Sequence, residues 1–443
     1  MADEFEIKSG DLSINFKWID SATTTSAALD ATLARLSIGL RDTFATNYKS
    51  DKGDVGDKVE IPIYSLAEWI VSNWWALLFE PRKNEGEDED GYMSRHWLGS
   101  ARAGFALPDL WLVPTGDQIE FSSRQAYLRF ARLTFTEQTT CEVPRDSVRQ
   151  VFGQLVSEVV KRLKTREIGE TLVSELWGLI SSTTPNQEFY CTLMGALGLN
   201  PYDENSQIDR ILDEISDHLT PSALLDLCQA SDEFTLRRSA AIASGAYDAL
   251  TDARPFSLAS LQPAFRRLPS DDIPAWRGGI DAAHRVRQEI GVSANDPEGG
   301  TTLFDKFGID CSTDNHVVAT EQTDFAGVSG ALDPENIDEV RLSMVERKES
   351  QRRFTAARGI FLTLDQRQHP DKRLITTART RDQQASRAFA AELLAPIRHI
   401  RARSGGSSIS TYRVQEIAEE LNVSPWVVKW QATNNRIHVI DSY

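Results

Sequence analysis

Two segments decide how the chain folds: Gln351-Arg-Arg-Phe-Thr-Ala-Ala-Arg-Gly-Ile-Phe-Leu-Thr-Leu364 and, further on, Ser386-Arg-Ala-Phe-Ala-Ala-Glu-Leu-Leu-Ala-Pro396. Both have the residue pattern of helices, with alanine and large apolar side chains recurring at helical spacing. We predict that these two helices are the frame of the C-terminal part of the protein.

The two segments resemble the two helices of the ImmA/IrrE family of zinc metallopeptidase-like proteins. In that family an Arg-Phe-Thr run enters a helix that carries His-Glu-x-x-His. A second helix, which reads Phe-Ala-Ala-Glu-Leu-Leu and then Pro, brings a third metal ligand. The resemblance covers about residues 298–443, the last third of the chain. It implies a zincin-like domain with a small sheet ahead of the first helix.

The catalytic positions of the family are all changed in this chain. Arg358 stands where the first histidine is expected, Gly359 replaces the general-base glutamate, and Leu362 replaces the second histidine. Two histidines one turn apart bind Zn²⁺, while the glutamate polarises the metal-bound water. Arginine, glycine and leucine can do neither. We therefore predict no catalytic residue, no cofactor and a lost zinc site, and we favour an inactive peptidase over an enzyme.

The third metal ligand of the family is replaced as well. Aligned on Phe389, that ligand falls at Gln383, and the adjacent Asp382 offers a carboxylate there. Arg358 then has two interpretations of equal weight. It forms an internal ion pair with Asp382 that replaces the metal as a staple between the helices, or it binds an acidic residue of a partner.

The charge of the chain is unevenly distributed. The 443 residues carry a formal charge of −17, which argues against nonspecific coating of nucleic acid. Between Glu346 and Arg403, however, fourteen Arg and Lys face six Asp and Glu, a local excess of +8. We predict that this basic block docks on the chain's own acidic part, on an acidic partner or on phosphates. The candidate partner-binding residues are Arg347, Arg352, Arg358, Arg379, Arg381, Asp382, Arg398, Arg401 and Arg403.

Several features predict a cytoplasmic protein. The four cysteines form no Cys-x-x-Cys pair, which is typical of reduced, buried thiols. The N-terminal residues are acidic and lack the basic and apolar regions of a signal peptide. The most apolar stretch, Leu66–Phe79, is too short to span a bilayer. We expect no membrane partner.

The fold class is predicted to be α+β and mainly helical. We assign an α+β domain of unknown role to residues 1–140, a helical domain to residues 141–291, and the pseudo-metallopeptidase domain to residues 298–443. A linker rich in glycine and small polar residues separates the last two. Short strands are expected at Val317–Thr320 and Phe325–Leu332, ahead of the first helix of the frame.

Residues 411–435 have the pattern of a helix-turn-helix pair. Small Ala418 permits a close crossing, Asn422 tolerates a left-handed turn, and Ser424 caps the second helix with proline at its first position. DNA reading needs polar side chains on that second helix, which instead offers Trp426 and Trp430 with few polar residues. We favour structural packing of the pair over DNA reading.

A metal site outside the family pattern would have to be assembled by the fold. The seven histidines lie far apart in sequence and in no chelating spacing. His369 and His399 flank the former catalytic region and could meet Asp382. Isolated histidines usually serve as ordinary polar residues, so we rank this site low.

Three functions remain open. The first is a non-catalytic interaction or regulatory subunit that binds a protein partner; the resemblance implies a setting in bacterial gene regulation or in defence against phages and other mobile elements. The second is a nucleic-acid-associated subunit that uses the basic block. The third is an active metallopeptidase that acts on a repressor-type protein through an unrecognised site.

Overall fold

The protein is described by a computed structural model that covers residues 4–20, 26–83, 89–265, 273–293, 299–311, 327–345, 348–365 and 371–441. The chain divides into two compact units, Met1–Glu204 and Asn205–Tyr443. Both mix helices with small sheets, so the predicted α+β class is confirmed. Within the described residues no helix is long and apolar enough to cross a membrane.

The first unit has all its strands, interspersed with short helices, in its N-terminal two thirds, and three further helices follow them. Its strands are β1 (Glu4–Ser9), β2 (Leu12–Trp18), β3 (Leu33–Leu40), β4 (Thr43–Phe44), β5 (Tyr48–Ser50), β6 (Val55–Gly56), β7 (Val59–Pro62), β8 (Asp109–Pro114), β9 (Gln118–Arg124), β10 (Ala126–Leu128), β11 (Leu133–Phe135) and β12 (Thr139–Pro144). Its helices are α1 (Ala27–Ala31), α2 (Ile63–Ser72), α3 (Trp74–Phe79), α4 (Glu89–His96), a 3₁₀ turn at Leu98–Ala101, α5 (Arg145–Thr165), α6 (Leu172–Ser181) and α7 (Pro185–Leu197).

The core of the first unit lies between antiparallel strands and the long helix α5. Strands β1, β2, β3 and β4 are hydrogen-bonded in that order, and β7 pairs with β3. Side chains of β2 alternate between buried and partly exposed, as a sheet covered on one face requires. Helix α5 buries a stripe of apolar residues at helical spacing and packs against β1 and β2.

The second unit is mainly helical. Its helices are α8 (Ser206–Ser216), α9 (Pro221–Ala230), α10 (Leu236–Asp248), a 3₁₀ turn at Ala259–Leu261, α11 (Gln262–Phe265), α12 (Ala275–Glu289), α13 (Gly299–Phe307), α14 (Glu349–Leu364), α15 (Arg381–Leu394), α16 (Ile397–Ser404), α17 (Thr411–Glu420) and α18 (Pro425–Asn434). Its strands are β13 (Val328–Asp333), β14 (Arg341–Met344), β15 (Arg373–Thr376), β16 (Ser408–Ser410) and β17 (His438–Ile440).

Helices α14 and α15, which contain the two segments that opened the sequence analysis, form the frame of the second unit. They pack against each other beside an antiparallel sheet of order β14-β13-β15. Helix α12 crosses α15 closely at Gly279, where an added Cβ would lie 2.2 Å from the carbonyl oxygen of Ala385. Only glycine, which has no Cβ, permits that approach. Helices α9 and α10 pack against β15 and β13.

The division of the chain differs from the predicted domains. The helical domain predicted for residues 141–291 is shared between the two units: α5, α6 and α7 belong to the first, and α8 to α12 to the second. The physical reason is long-range packing, because α5 is needed to cover β1 and β2, while α12 is needed to cover α15. The strand predicted at Phe325–Leu332 is observed as β13, whereas Val317–Thr320 lies outside the described residues.

Candidate functional site

The four residues that the sequence analysis singled out as exchanged positions are all buried. Arg358, Gly359 and Leu362 lie on α14, and Gln383 lies near the start of α15. Arg358 is 3% exposed and Gln383 is fully buried. The helix spacing places Arg358 and Leu362 one turn apart on the same face of α14. These residues therefore lie in the closed interior of the second unit.

Arg358 is the centre of this cluster. Its Nε donates to the hydroxyl of Ser386 at 3.2 Å, and its Nη2 donates to Oε1 of Gln383 at 2.6 Å. The same Nη2 also donates to the backbone carbonyl of Thr376, at the end of β15. One guanidinium thus connects α14 with α15 and with the sheet. Arg358 and Gln383 are therefore in direct contact.

Gln383 completes the network through its own amide. Its Nε2 donates to the carbonyl of Leu374 at 3.0 Å, and its Oε1 also accepts from the backbone amide of Thr376 at 3.3 Å. The side chain therefore has hydrogen-bond partners at both ends, as a buried amide requires. An uncharged glutamine with these partners is a structural link rather than a metal ligand.

The space around Gly359 is closed by apolar side chains. A Cβ built on Gly359 would lie 3.3 Å from a methyl group of Leu342 and 3.5 Å from one of Ile375. A longer side chain at this position would have to displace residues of β14 and β15. Space for a glutamate and its water is missing at Gly359 as the chain is packed here.

Asp382 binds a different guanidinium from the one predicted. Arg373, on β15, donates to Asp382 and also to Asp226 of α9, at 2.9 Å to the latter's Oδ1. All three side chains are buried. The predicted staple between Arg358 and Asp382 is thus corrected: Gln383 and Ser386 face Arg358, and Asp382 faces Arg373. Adjacent helical positions point about 100° apart, so one neighbour cannot substitute for the other.

The pKa values of this buried triad follow from burial and charge together. Burial raises the pKa of Asp226 and outweighs the attraction of Arg373. Burial also acts to raise the pKa of Asp382, but the charge of Arg373 and hydrogen bonds from Thr380 and the backbone hold it below its usual range. For Arg373, the two carboxylates overcome the effect of burial and raise its pKa. The guanidinium is therefore permanently charged between two carboxyl groups.

Five arginines of the basic block are buried in the fold. Nε of Arg352 donates to the carbonyl of Cys311 at 2.9 Å, and Nη1 of Arg353 donates to the carbonyl of Asn422 at 3.0 Å. Arg381 donates to the carbonyl of Ile273. These arginines use their planar donors to hold chain segments together.

The structure accordingly revises the predicted partner-binding residues. Arg352, Arg358 and Arg381 are buried and unavailable to a partner as the chain is folded here. Arg379 is half-buried, and the exposed candidates are Arg398, Arg401 and Arg403, all on α16. Arg347 lies outside the described residues.

The described residues of the low-ranked metal site, His399 and Asp382, have different partners. Nε2 of His399 lies 3.3 Å from Glu420, while Asp382 is engaged by Arg373. His369 lies outside the described residues. Among the described residues, no group of three or more His, Cys, Asp or Glu side chains is arranged to hold a metal ion. Each of the four cysteines is buried.

Helices α17 and α18 form the predicted helical pair. Ser424 caps α18 by accepting from the amide of Trp426, and Asn422 adopts the left-handed conformation with φ of 49°. Inward-facing residues of both helices join the core that α14 and α15 share, among them Val414, Ile417, Val428 and Ala432. The expected structural packing is therefore observed, but the two tryptophans of α18 remain outside it, at 63% and 60% exposure for Trp426 and Trp430.

A second buried charge cluster, in the first unit, was not foreseen from the sequence. Glu80 accepts from Nε of Arg95 at 2.7 Å and lies 3.0 Å from Nε2 of His96. The other ring nitrogen of His96 is 2.8 Å from the carbonyl of Leu112. Burial acts to raise the pKa of Glu80, but His96 and Arg95 outweigh it and lower the pKa to about 2. The adjacent Arg95-His96 pair could be noticed in the sequence, whereas nothing there indicated Glu80 as its partner.

No protein-family model matches the chain, and no curated protein or solved structure matches it either.

Proposed function

We propose that this protein is a non-catalytic interaction and regulatory subunit, built on a scaffold of the ImmA/IrrE metallopeptidase type that has lost its zinc. The observation that carries the proposal is the contact between Arg358 and Gln383, at 2.6 Å. These residues occupy the positions of the family's first and third ligands, and a guanidinium network fills the space between them. Such a network supplies rigidity and no nucleophile.

The setting follows from the resemblance alone. Proteins of this family regulate repressor-type proteins, so we place this chain in bacterial gene regulation or in defence against phages and mobile elements, with a protein partner in the cytoplasm. The second candidate, a nucleic-acid-associated subunit, receives less support because five of the fourteen basic residues of the block are buried. The third, a peptidase with another site, has no arrangement of side chains in its favour among the described residues.

Purification of the tagged full-length protein from its native host tests the proposal. The sample is kept at moderate salt, retained molecules are identified by mass spectrometry, and zinc is measured by elemental analysis. We expect a stoichiometric protein partner and far less than one zinc per chain. A chain that elutes alone with about one zinc would contradict the proposal and would call for a peptidase assay.

A variant with restored ligands tests the scaffold separately. The substitutions Arg358→His, Leu362→His and Gln383→Glu return the family's ligand set to the positions that face one another here. We expect this variant to take up zinc towards one per chain, while the parent does not. A folded variant that binds no zinc would refute the assignment of these positions, and it would leave the interaction role standing.

A further inference from the structure

The outer face of α18 carries two large exposed side chains that the fold does not use. Trp426 and Trp430 are separated by one helical turn, and they are 63% and 60% exposed. Lys429 lies on the same stripe, with its Nζ 5.1 Å from the ring centroid of Trp426. Thr433 continues the stripe and is also exposed. We call these four residues the tryptophan stripe.

Packing of the helical pair does not require the tryptophan stripe. The face of α18 that joins the core consists of Val428, Gln431 and Ala432. Nε2 of Gln431 donates to Glu392 of α15 at 2.8 Å, which fixes the orientation of the helix independently of the stripe. Tryptophan is among the residues that contribute most to protein interfaces and is costly to leave in water as a contiguous pair.

The charges around the stripe favour a protein over a nucleic acid. Helix α18 contains no carboxylate, and Lys429 is the charged group on its exposed side, with Arg436 just beyond the helix. Helix α17 is the member of such a pair that would cross a nucleic-acid backbone. Its exposed Glu419 would repel phosphates there, and its Glu420 is already paired with Arg403 of α16. An apolar stripe with a positive centre is complementary to apolar side chains that are flanked by carboxylates.

We propose that the tryptophan stripe docks a partner protein segment that presents apolar side chains next to Asp or Glu. The apolar side chains of that segment pack against the two indole rings, and Lys429 pairs with its carboxylate. This inference rests on the proposed interaction role and names the surface that performs it.

Selection from a random peptide library tests the surface directly. Phage-displayed 16-residue peptides are panned on the full-length protein and, in parallel, on a Trp426→Ala/Trp430→Ala variant. The matched control is Trp276→Ala, which removes another exposed tryptophan of the second unit, on α12. Circular dichroism melting establishes that all variants fold. The best peptides are then synthesised and their affinities measured by fluorescence anisotropy.

We expect the enriched peptides to be apolar and acidic. Each single substitution, Trp426→Ala or Trp430→Ala, should raise their dissociation constants at least about tenfold, and Trp276→Ala should not change them. The Lys429→Glu substitution should also weaken the binding of acidic peptides and reduce the salt dependence of that binding.

Three outcomes overturn the inference. Peptides of basic composition, or peptides that bind the double variant equally well, would exclude the proposed partner chemistry. A random single-stranded DNA pool that binds in a stripe-dependent manner would assign the surface to nucleic acid. Light scattering that shows a dimer lost in the double variant would assign it to a second copy of the chain. The zinc measurement described above is independent, so failure of the surface and failure of the interaction role remain distinguishable.

Discussion

A double-mutant cycle on Arg358 and Gln383 measures how strongly these two residues link α14 and α15. Arg358 is 3% exposed, and its guanidinium donates to Gln383 at 2.6 Å, to Ser386 at 3.2 Å and to the carbonyl of Thr376. A hydrogen bond to a charged group contributes about 1.5–3 kcal/mol. We expect Arg358→Met to cost about 3–5 kcal/mol in total, because it breaks several bonds of a buried network at once. The coupling energy with Gln383→Met should be about 1.5–3 kcal/mol.

Because the chain consists of two compact units, the assay must report on the second unit alone. Hydrogen exchange followed by mass spectrometry, over a series of urea concentrations, gives the opening free energy of amides in α14. The matched control is Arg398→Met on exposed α16, which should change stability by less than about 0.5 kcal/mol. A coupling energy below about 0.5 kcal/mol would refute the reasoning, because the short contact between Arg358 and Gln383 would then not support the fold.

The remaining predictions concern other parts of the packing. Arg373→Met leaves two buried carboxyl groups without their guanidinium, and urea unfolding should show a loss of about 3–5 kcal/mol. The pKa of Glu80 lies at about 2 in the fold against 4.5 ordinarily. Its contribution of about 3 kcal/mol to stability is therefore present above pH 4.5 and lost as the pH falls towards 2. The Glu80→Gln substitution should remove that pH dependence from the urea unfolding midpoints of the first unit. Gly279→Ala should lower the melting temperature, with a cost of about 1–3 kcal/mol, because its Cβ meets backbone atoms of α15 at 2.2 and 2.9 Å. Gly278→Ala is its control: the nearest atom lies at 3.7 Å, and stability should be unchanged or slightly higher.

The frame helices were predictable because they depend on local residue pattern. Helix α14 covers residues 349–364 and α15 covers residues 381–394, close to the segments identified in the sequence. The partner of Arg358 was not predictable from proximity along the chain, since Asp382 and Gln383 are both candidates there. Helical spacing from Ser386 does not separate the two, because Gln383 lies three and Asp382 four residues before it, and both spacings place side chains on one face of a helix.

The burial of the arginines was harder to foresee. A run of basic residues normally forms a solvated face, and the chain as a whole carries a charge of −17. A count of charges does not tell which guanidinium groups donate to backbone carbonyls. Here Arg352 and Arg353 each donate to backbone carbonyls of distant segments, near residues 311 and 422. Those contacts depend on long-range packing. The same is true of the division between units, which follows from the packing of α12 on α15.

On the proposed scaffold, exchange of a metal for an arginine changes what can control the protein. A zinc ion joins two helices reversibly, since its ligands must lose protons and the ion can be removed by chelators. The guanidinium of Arg358 joins α14, α15 and β15 without either requirement, because arginine stays protonated throughout the physiological range. The frame is then insensitive to metal supply, and the fixed core leaves its surface as the part through which it acts. Among the exposed features in the described part of the second unit, the tryptophan stripe is the one that we propose for that role.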